Sequence, residues 1–349
     1  MANLIDISKS VKRLSFLNRL SRIIQSTNLN FLIGSGCSNP AIKDLGNKEK
    51  EISEARKKGE EEKANQLMHD FLLPFLDNTK LLIDNNITII SDTINIYKSF
   101  IRNIYDILFN RKNNILPSQA IVFSTNYDLF IEYAMNDFNE NLLLCDGFKR
   151  TSNINKDYYF SSTEYFNSVF NTGNLYRYKV EIPTINLIKL HGSLNWFKNN
   201  NKIIQSFSHI EKAEIIKNSK EPSEIKLFNS LFNIVLPQDN KLQLTTLDEI
   251  YYDLLRIYSN ELDKENTVLL ADGFSFEDQH IREITIRALK NKTFNLIIFA
   301  YNENDKYALL EKFKTFKNVD IVFNGNKKLD FKQFNQLLAK LIFSDEDDA

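Results

Sequence analysis

The sequence contains little cysteine, glycine or histidine, and it carries almost no net charge. Its two cysteines, Cys37 and Cys145, are too few for a four-cysteine zinc site or a disulfide framework, so we expect reduced thiols. The 44 basic residues nearly balance the 45 acidic ones, which argues against nucleic acid and anionic membranes as partners. The apolar runs are far shorter than the ~18 residues of a membrane span, and the first residues lack a signal-peptide pattern. We therefore expect a cytoplasmic protein.

What the sequence does contain is a series of short, continuous apolar runs, with helical patterns between them. Strands that are buried on both faces of a parallel sheet have this character, because both sides of each strand need apolar residues. The predicted strands are 30–34, 120–124, 185–190, 267–271, 295–300 and 319–323. The alternation of strands and helices predicts an α/β fold with a Rossmann-like, doubly wound and mainly parallel sheet.

The whole chain, 1–349, is predicted to form one domain with large helical insertions. The longest insertion, about 40–117, starts with the charged run KEKEISEARKKGEEEK, which we interpret as a solvated helix face, and ends with an amphipathic helix. Further insertions are predicted at about 146–180 and 198–265. Near the C-terminus, Tyr307, Leu310 and Phe313 have the spacing of one buried helix face.

Glycine is concentrated where the predicted strands end. Five of the nine glycines have this placement: Gly34, Gly36, Gly192, Gly273 and Gly325. The carboxyl ends of parallel strands line the ligand crevice of an open sheet, and a missing side chain there lets a cofactor approach the backbone. Ordinary strand-to-helix turns also use glycine, so each glycine alone has two explanations. The set as a whole favours a ligand.

The first strand end reads FLIGSGCSNP. An apolar strand followed by Gly-x-Gly-x-Ser resembles half of the dinucleotide fingerprint, with Asn39 in place of the third glycine. No Gly-Lys-Ser or Gly-Lys-Thr follows, which argues against a P-loop, and a diphosphate bound by backbone N–H groups fits better. Cys37 is either a reactive thiol or a small buried side chain. Since no adjacent base is identifiable, the second interpretation is favoured.

The second strand end reads AIVFSTNYDLF. A helix is predicted to open at Asn126, with Thr125 and Asp128 spaced as a capping box. Asn126 alone is well explained as a helix N-cap. In the third stretch, NLIKLHGSLNWF, His191 comes directly after a strand, where it is either a packed core residue or a functional one.

The fourth strand end reads TVLLADGFSFEDQHI. Ser275 and Asp278 are again spaced as a capping box. The neighbouring carboxylates, Glu277 and Asp278, would repel phosphate, so a ligand contact here is predicted to go to ribose hydroxyls.

In order, GSGCS, STNYD, KLHGS and DGFSFEDQHI resemble the sirtuin-like family, and in particular the bacterial branch that degrades NAD in antiphage defence. The resemblance implies that NAD is the substrate, that Asn126 and His191 are the catalytic pair, and that no metal is needed. It also implies a homo-oligomer and a HerA-like hexameric ATPase as candidate partner, with the long helical insertion as a candidate assembly surface. The NAD-binding residues that it implies are Gly34, Ser35, Gly36, Ser38, Thr125, Asp128, Gly273, Ser275 and Asn302.

The sequence departs from the protein-deacylating sirtuins in two places. It cannot supply their four-cysteine zinc module. The segment that follows GSGCS is NPAIKDL, which lacks the stretch that helps deacylases to place nicotinamide and the acyl substrate. Deacylation is therefore disfavoured, and hydrolysis or cyclisation of NAD remains. Cleavage of the nicotinamide bond builds positive charge on the ribose. Neutral His191 can accept a proton near neutral pH, whereas the Asn126 amide can only position water or ribose.

The leading functional hypothesis is an NAD glycohydrolase. A protein deacylase is the alternative enzyme, and a module that senses NAD or ADP-ribose without turnover is the alternative of a different class. The presence of both Asn126 and His191 favours catalysis. Trp196 either covers the nicotinamide or packs in the core, and the core is favoured.

Overall fold

A computed structural model describes residues 1–43, 48–113, 115–150, 158–173, 179–199, 202–235 and 249–341. The strands are β1 (Asn3–Asp6), β2 (Asn28–Ile33), β3 (Gln119–Ser124), β4 (Leu143–Cys145), β5 (Tyr158–Tyr159), β6 (Phe170–Thr172), β7 (Lys179–Glu181), β8 (Thr184–Lys189), β9 (Trp196–Asn199), β10 (Lys202–Gln205), β11 (Thr267–Asp272), β12 (Phe294–Phe299) and β13 (Val319–Phe323). The helices are α1 (Ser10–Ser26), α2 (Lys48–Lys57), α3 (Glu61–Ile83), α4 (Ser91–Phe109), α5 (Phe130–Asn136), α6 (Ser208–Ile216), α7 (Pro222–Ser230), α8 (Glu249–Asp263), α9 (Gln279–Ala288), α10 (Glu303–Phe313) and α11 (Phe331–Lys340).

The main sheet has eight strands in the order β1-β13-β12-β11-β2-β3-β8-β4, and all its neighbouring strands are parallel. From β2 the chain proceeds outward to β3 and β8 on one side, and from β11 to β12 and β13 on the other. The order therefore reverses between β2 and β11. In open α/β sheets this switch point is where a crevice forms beyond the carboxyl ends of the strands.

The predicted α/β fold is confirmed, and the six predicted strands agree with β2, β3, β8, β11, β12 and β13 to within two residues. Two strands at the edges of the sheet were not predicted, β1 and β4. They have four and three residues, which is too short to give a continuous apolar run.

Each face of the sheet is covered by helices. On one face, Tyr97 and Phe100 of α4 pack with Phe331 of α11, and the amphipathic pattern predicted for α4 is confirmed. On the other face, Tyr258 of α8 packs on Phe123 of β3, in the same cluster of buried residues as Ile281 of α9. The two small sheets, β5-β10-β9 and β6-β7, are antiparallel.

The helical insertions contribute α2, α3 and α4 from about 40–117, and α6, α7 and α8 from about 198–265. Parts of the predicted insertions lie outside the described residues: 44–47, 114, 151–157, 174–178, 200–201 and 236–248. The charged run forms α2 and the start of α3, with most of its charges exposed, as predicted. The boundaries of the domain stay a prediction.

The buried face of α10 differs from the prediction by one position. Tyr307 is 54% exposed and Leu310 is partly buried against the core, whereas Lys306 and Leu309 are both buried. Phe313 is buried as predicted. No helix in the described part of the chain is both long and apolar enough to cross a membrane.

Candidate active site

The switch point between β2 and β11 is formed by two loops that interlock through glycine. Gly34 N donates to Asp272 O, and Gly36 N donates to Gly273 O. A Cβ at Gly34 would lie 2.3 Å from Gly273 O, and one at Gly273, whose φ is +64°, would lie 2.7 Å from Cys37 N. The space that these glycines leave is therefore filled by the opposite loop. Their first role is to let two backbones touch.

The amide of Asn126 lies buried beside this glycine contact. Its Nδ2 donates to Gly34 O at 3.0 Å and to Ser38 Oγ at 3.1 Å, and it lies 3.4 Å from Tyr97 Oη. Because a carbonyl oxygen can only accept, the contact with Gly34 fixes which end of the amide is nitrogen. Within the described residues, Asn126 Oδ1 is buried and has no hydrogen-bond partner. A buried acceptor without a partner is costly, and a ligand hydroxyl or water would satisfy it.

Ser38 holds Asn126 in this orientation. Its single hydroxyl proton goes to Asp128 Oδ2 at 2.6 Å, so the oxygen accepts from Asn126 Nδ2 and from Tyr97 Oη at 2.9 Å. Burial raises the pKa of Asp128, and the positive charge of Lys189 opposes that shift. The hydroxyl of Ser38 is therefore already saturated. Its contact with a diphosphate stays a prediction, and it would require this network to open.

The predicted capping box at Thr125 and Asp128 is wrong. Helix α5 begins at Phe130, and its N-cap, Leu129, makes no side-chain cap. The Asp128 carboxylate accepts instead from Ser38 and from Phe130 N. Five loop residues, 125–129, separate β3 from α5, and this loop, not a helix terminus, carries Asn126.

His191 lies in the turn after β8, and its ring contacts the carboxylate of Asp278. Its Nε2 is 3.0 Å from Asp278 Oδ2, and both side chains are less than 10% exposed. His191 O accepts from Val235 N, and Gly192, at φ +83°, has no room for a Cβ beside Asn233 O. A carboxylate at Nε2 holds a proton on that nitrogen, which makes Nδ1 the accepting nitrogen of the neutral ring.

Asp278 has a second function at the start of α9. Its Oδ1 accepts from His280 N at 3.0 Å and from Ile281 N at 3.5 Å. The capping box predicted with Ser275 is wrong, since Asp278 is itself the N-cap and Ser275 is exposed. One carboxylate thus fixes a helix and a histidine to each other.

The space beside His191 is small. A cavity of about 10 Å³ is lined by Leu190, His191, Val235, Leu255, Asp278, His280 and Ile281. This volume is at the lower limit for one water molecule. Entry of a larger ligand on this side of His191 therefore needs the surrounding side chains to move.

The remaining predicted residues take other positions around the same sheet edge. Thr125 N donates to Ile33 O, which joins the ends of β2 and β3. Ser35 is exposed at the edge. Asn302 is the N-cap of α10, where its Oδ1 accepts from Asp305 N. Trp196 is 2% exposed among Phe148 and Phe160, which supports the core interpretation.

Three buried polar side chains near the site were not predicted to be part of it: Tyr97, Lys189 and Asp272. Tyr97 lies on the buried face of α4, where the sequence predicted only an amphipathic helix. Lys189 and Asp272 each end an apolar strand. A charged residue in a strand that is buried on both faces needs a partner, and this was the signal that could have identified them.

Burial raises the pKa of Asp272 to about 7, and the Cys37 thiol donates to its Oδ2. Burial, with Asp272, raises the pKa of Cys37 well above its usual value, so the small-buried-residue interpretation is supported.

Two polar groups with different chemistry lie at this edge of the sheet. Asn126 Oδ1 is a buried acceptor with no partner in the described residues, and the imidazole of His191 is oriented by a carboxylate. Both follow neighbouring strands, since Ser124 of β3 pairs with Lys189 of β8. Among the described residues, no group of three His, Cys, Asp or Glu is placed to hold a metal ion.

A comparison with curated proteins gave no match. The family model described as a SIR2-like domain matches residues 120–322, more than half of the chain. The matched range contains Asn126, His191 and Asp278, whereas the loop 34–38 precedes it. The chain therefore belongs to the SIR2-like family, whose domains are NAD-dependent enzymes.

Proposed function

We propose that this protein is an NAD glycohydrolase, which cleaves NAD to nicotinamide and ADP-ribose. The observation that carries the proposal is the buried His191–Asp278 pair at the carboxyl edge of the sheet, 3.0 Å between Nε2 and Oδ2. A histidine held by a carboxylate is suited to accept one proton in a fixed direction. Membership of the SIR2-like family supports NAD as the molecule on which that base acts.

In the proposed reaction, the bond between nicotinamide and ribose breaks, and the bonding electrons leave with the nicotinamide nitrogen. A bond forms between the same ribose carbon and a water oxygen, and one proton is released. His191 Nδ1 accepts that proton, while Asp278 stabilises the resulting imidazolium ring through Nε2. Asn126 Oδ1 accepts a hydrogen bond from the water or from a ribose hydroxyl. Holding the reacting groups in this way lowers the entropic part of the barrier.

We extend the proposal to antiphage defence, in which the enzyme depletes NAD, on the basis of the resemblance of the four motifs. An NADase that is active at all times would empty its own cell. Its activity is therefore controlled by self-assembly or by a separate protein, for which a HerA-like ATPase is the proposed candidate.

The test is incubation of purified protein with NAD alone, followed by chromatographic separation of nicotinamide, ADP-ribose and cyclic ADP-ribose. We expect nicotinamide and ADP-ribose in equal amounts, and both to form at least about 100-fold more slowly with His191→Ala. Release of nicotinamide only when an acylated peptide is added would restore the deacylase. Binding of NAD by calorimetry with no product would favour the sensing module.

A further inference from the structure

Lys189, the last residue of β8, is a buried lysine that the proposed chemistry does not use. It is 3% exposed, and a buried ammonium group is stable only when its three protons have partners. Its Nζ donates to Asp128 O and lies 3.4 Å from Asn126 O and 3.3 Å from Glu132 Oε1. Two of its three partners are thus backbone carbonyls of the loop 125–129.

That loop carries Asn126 and has no regular structure to satisfy its own carbonyls. Buried carbonyl groups outside helices and sheets need other partners. The ammonium group of Lys189 can donate one proton to each of two carbonyls that lie two residues apart, Asn126 O and Asp128 O. Meanwhile the Asn126 side chain is held by Gly34 O and Ser38 Oγ. Backbone and side chain of Asn126 are therefore fixed by different groups.

We propose that Lys189 is a positioning residue that sets the backbone of the Asn126 loop and thereby aims Asn126 Oδ1. The consequence for catalysis rests on the function proposed above, whereas the consequence for the loop does not.

The competing explanation is that Lys189 only neutralises Glu132. Burial raises the pKa of the Glu132 carboxyl, and Lys189 opposes this shift, so removal of the ammonium group leaves an unfavourable carboxylate. A single substitution of Lys189 would then destabilise the protein for either reason. The two explanations separate only when the charge of Glu132 is removed as well.

The experiment compares Lys189→Met, Glu132→Gln and the double variant with the parent protein. Methionine keeps most of the length of lysine and removes its proton donors. Lys332→Met, on the exposed side of α11, is the matched control. Three quantities are measured: the melting temperature, the rate of backbone amide exchange in a peptide covering 125–130, and kcat and KM for nicotinamide release.

We expect the double variant to recover part of the melting temperature that Lys189→Met loses, because it removes the uncompensated carboxylate but not the loss of the carbonyl contacts. Backbone amide exchange in 125–130 should be at least about tenfold faster than in the parent protein, in Lys189→Met and in the double variant alike. Both lack the contacts from Lys189 to the loop carbonyls. Turnover falls about 100-fold in kcat with KM changed less than about fivefold, and adding Lys189→Met to Asn126→Ala lowers kcat no further. The double variant gives the comparison even where Lys189→Met alone does not fold.

Recovery of both slow amide exchange and kcat in the double variant would overturn the proposal, because Lys189 would then serve only Glu132. If the parent protein releases no nicotinamide under any assembly condition tested, the function proposed above fails, and the exchange measurement still decides the role of Lys189. Unchanged amide exchange in 125–130 of Lys189→Met would also overturn the proposal that Lys189 sets the loop backbone.

Discussion

His191 is held from two directions, by Asp278 at its ring and by Val235 at its backbone. His191→Ala leaves the backbone contact in place, so we expect a folded protein that still binds NAD. Because His191 is the proposed base, its removal should lower kcat by a factor of order 10² to 10⁴. Circular dichroism, calorimetry with NAD and nicotinamide release measure the three properties.

His209 provides the matched control for this substitution. It is also buried, with Nε2 2.6 Å from Leu194 O, and burial lowers its pKa. His209→Ala should chiefly lower the unfolding free energy, by about 1–3 kcal/mol, and leave turnover of the folded molecules near the parent value. A folded His191→Ala protein with parental turnover would remove His191 from the mechanism.

The two roles of Asp278 can be separated by two substitutions. Asparagine is a good N-cap, so Asp278→Asn should keep α9 stable while it removes the charge that orients His191. We expect kcat to fall roughly 10- to 1,000-fold with little change in stability. Asp278→Ala should show the same kinetic loss and an additional loss of about 1 kcal/mol from the missing cap. Urea unfolding and kcat are the measurements, and an active Asp278→Asn variant would contradict the oriented-base mechanism.

Asp272 predicts an unusual dependence of stability on pH. Its pKa is about 7 in the native protein and about 4 in an unfolded chain. Between these two pH values the native state binds more protons than the unfolded state. The contribution of Asp272 to the unfolding free energy therefore falls as pH rises and is constant above pH 7. Asp272→Asn cannot ionise. It should therefore be more stable than the parent at pH 8, by up to about 4 kcal/mol, and by much less at pH 4.5. Urea unfolding at both pH values tests this, and an equal difference at both would be contrary to the prediction.

At the scale of elements, the glycine contact at the switch point is the feature that positions the site. Gly273→Ala forces a side chain into φ +64° and places Cβ 2.7 Å from Cys37 N. We expect the unfolding free energy to fall by about 2–4 kcal/mol, and NAD binding to be lost where the two loops separate. Gly59 is the control, because it has φ +75° and nothing within 4 Å of its Cβ position. Gly59→Ala should lose only about 1 kcal/mol. Equal losses in chemical denaturation would show that the loop contact contributes nothing.

The elements that could be predicted are those with a strong and continuous pattern. A strand such as β11, TVLLAD, is buried throughout and reads as an unbroken apolar run. The start of α5 could not be predicted, because the Asp128 carboxylate accepts from Ser38 in a tertiary contact and the backbone N–H of Thr125 joins β3 to β2. The face of α10 was misplaced because Lys306 Nζ lies over the ring of Phe323, 4.7 Å from its centroid, so a charged residue occupies a buried position.

For the molecule as a whole, the sequence could place Asn126 and His191 at one edge of the sheet, because parallel strands bring their carboxyl ends together. The sequence could not show that His191 contacts Asp278, or that Lys189 contacts the loop 125–129. Those contacts depend on how α9 and α5 pack beside the strands, and on which strands are neighbours. The reversal of strand order between β2 and β11 brings Gly34 to Gly273, and neither loop alone contains that information.

Control of the proposed activity is also a property of the whole molecule. The helical insertion exposes Ile89, which is 84% accessible in the turn before α4. If this surface assembles the enzyme, specific activity should rise with protein concentration, and sedimentation should show oligomers over the same range. Ile89→Asp should then give monomers with an intact fold and low activity, because a buried charge opposes association. Leu227→Asp, at an exposed position on α7, is the control. A parent protein that stays monomeric at micromolar concentration, is fully active alone and is harmless to the cells that express it would contradict control by assembly.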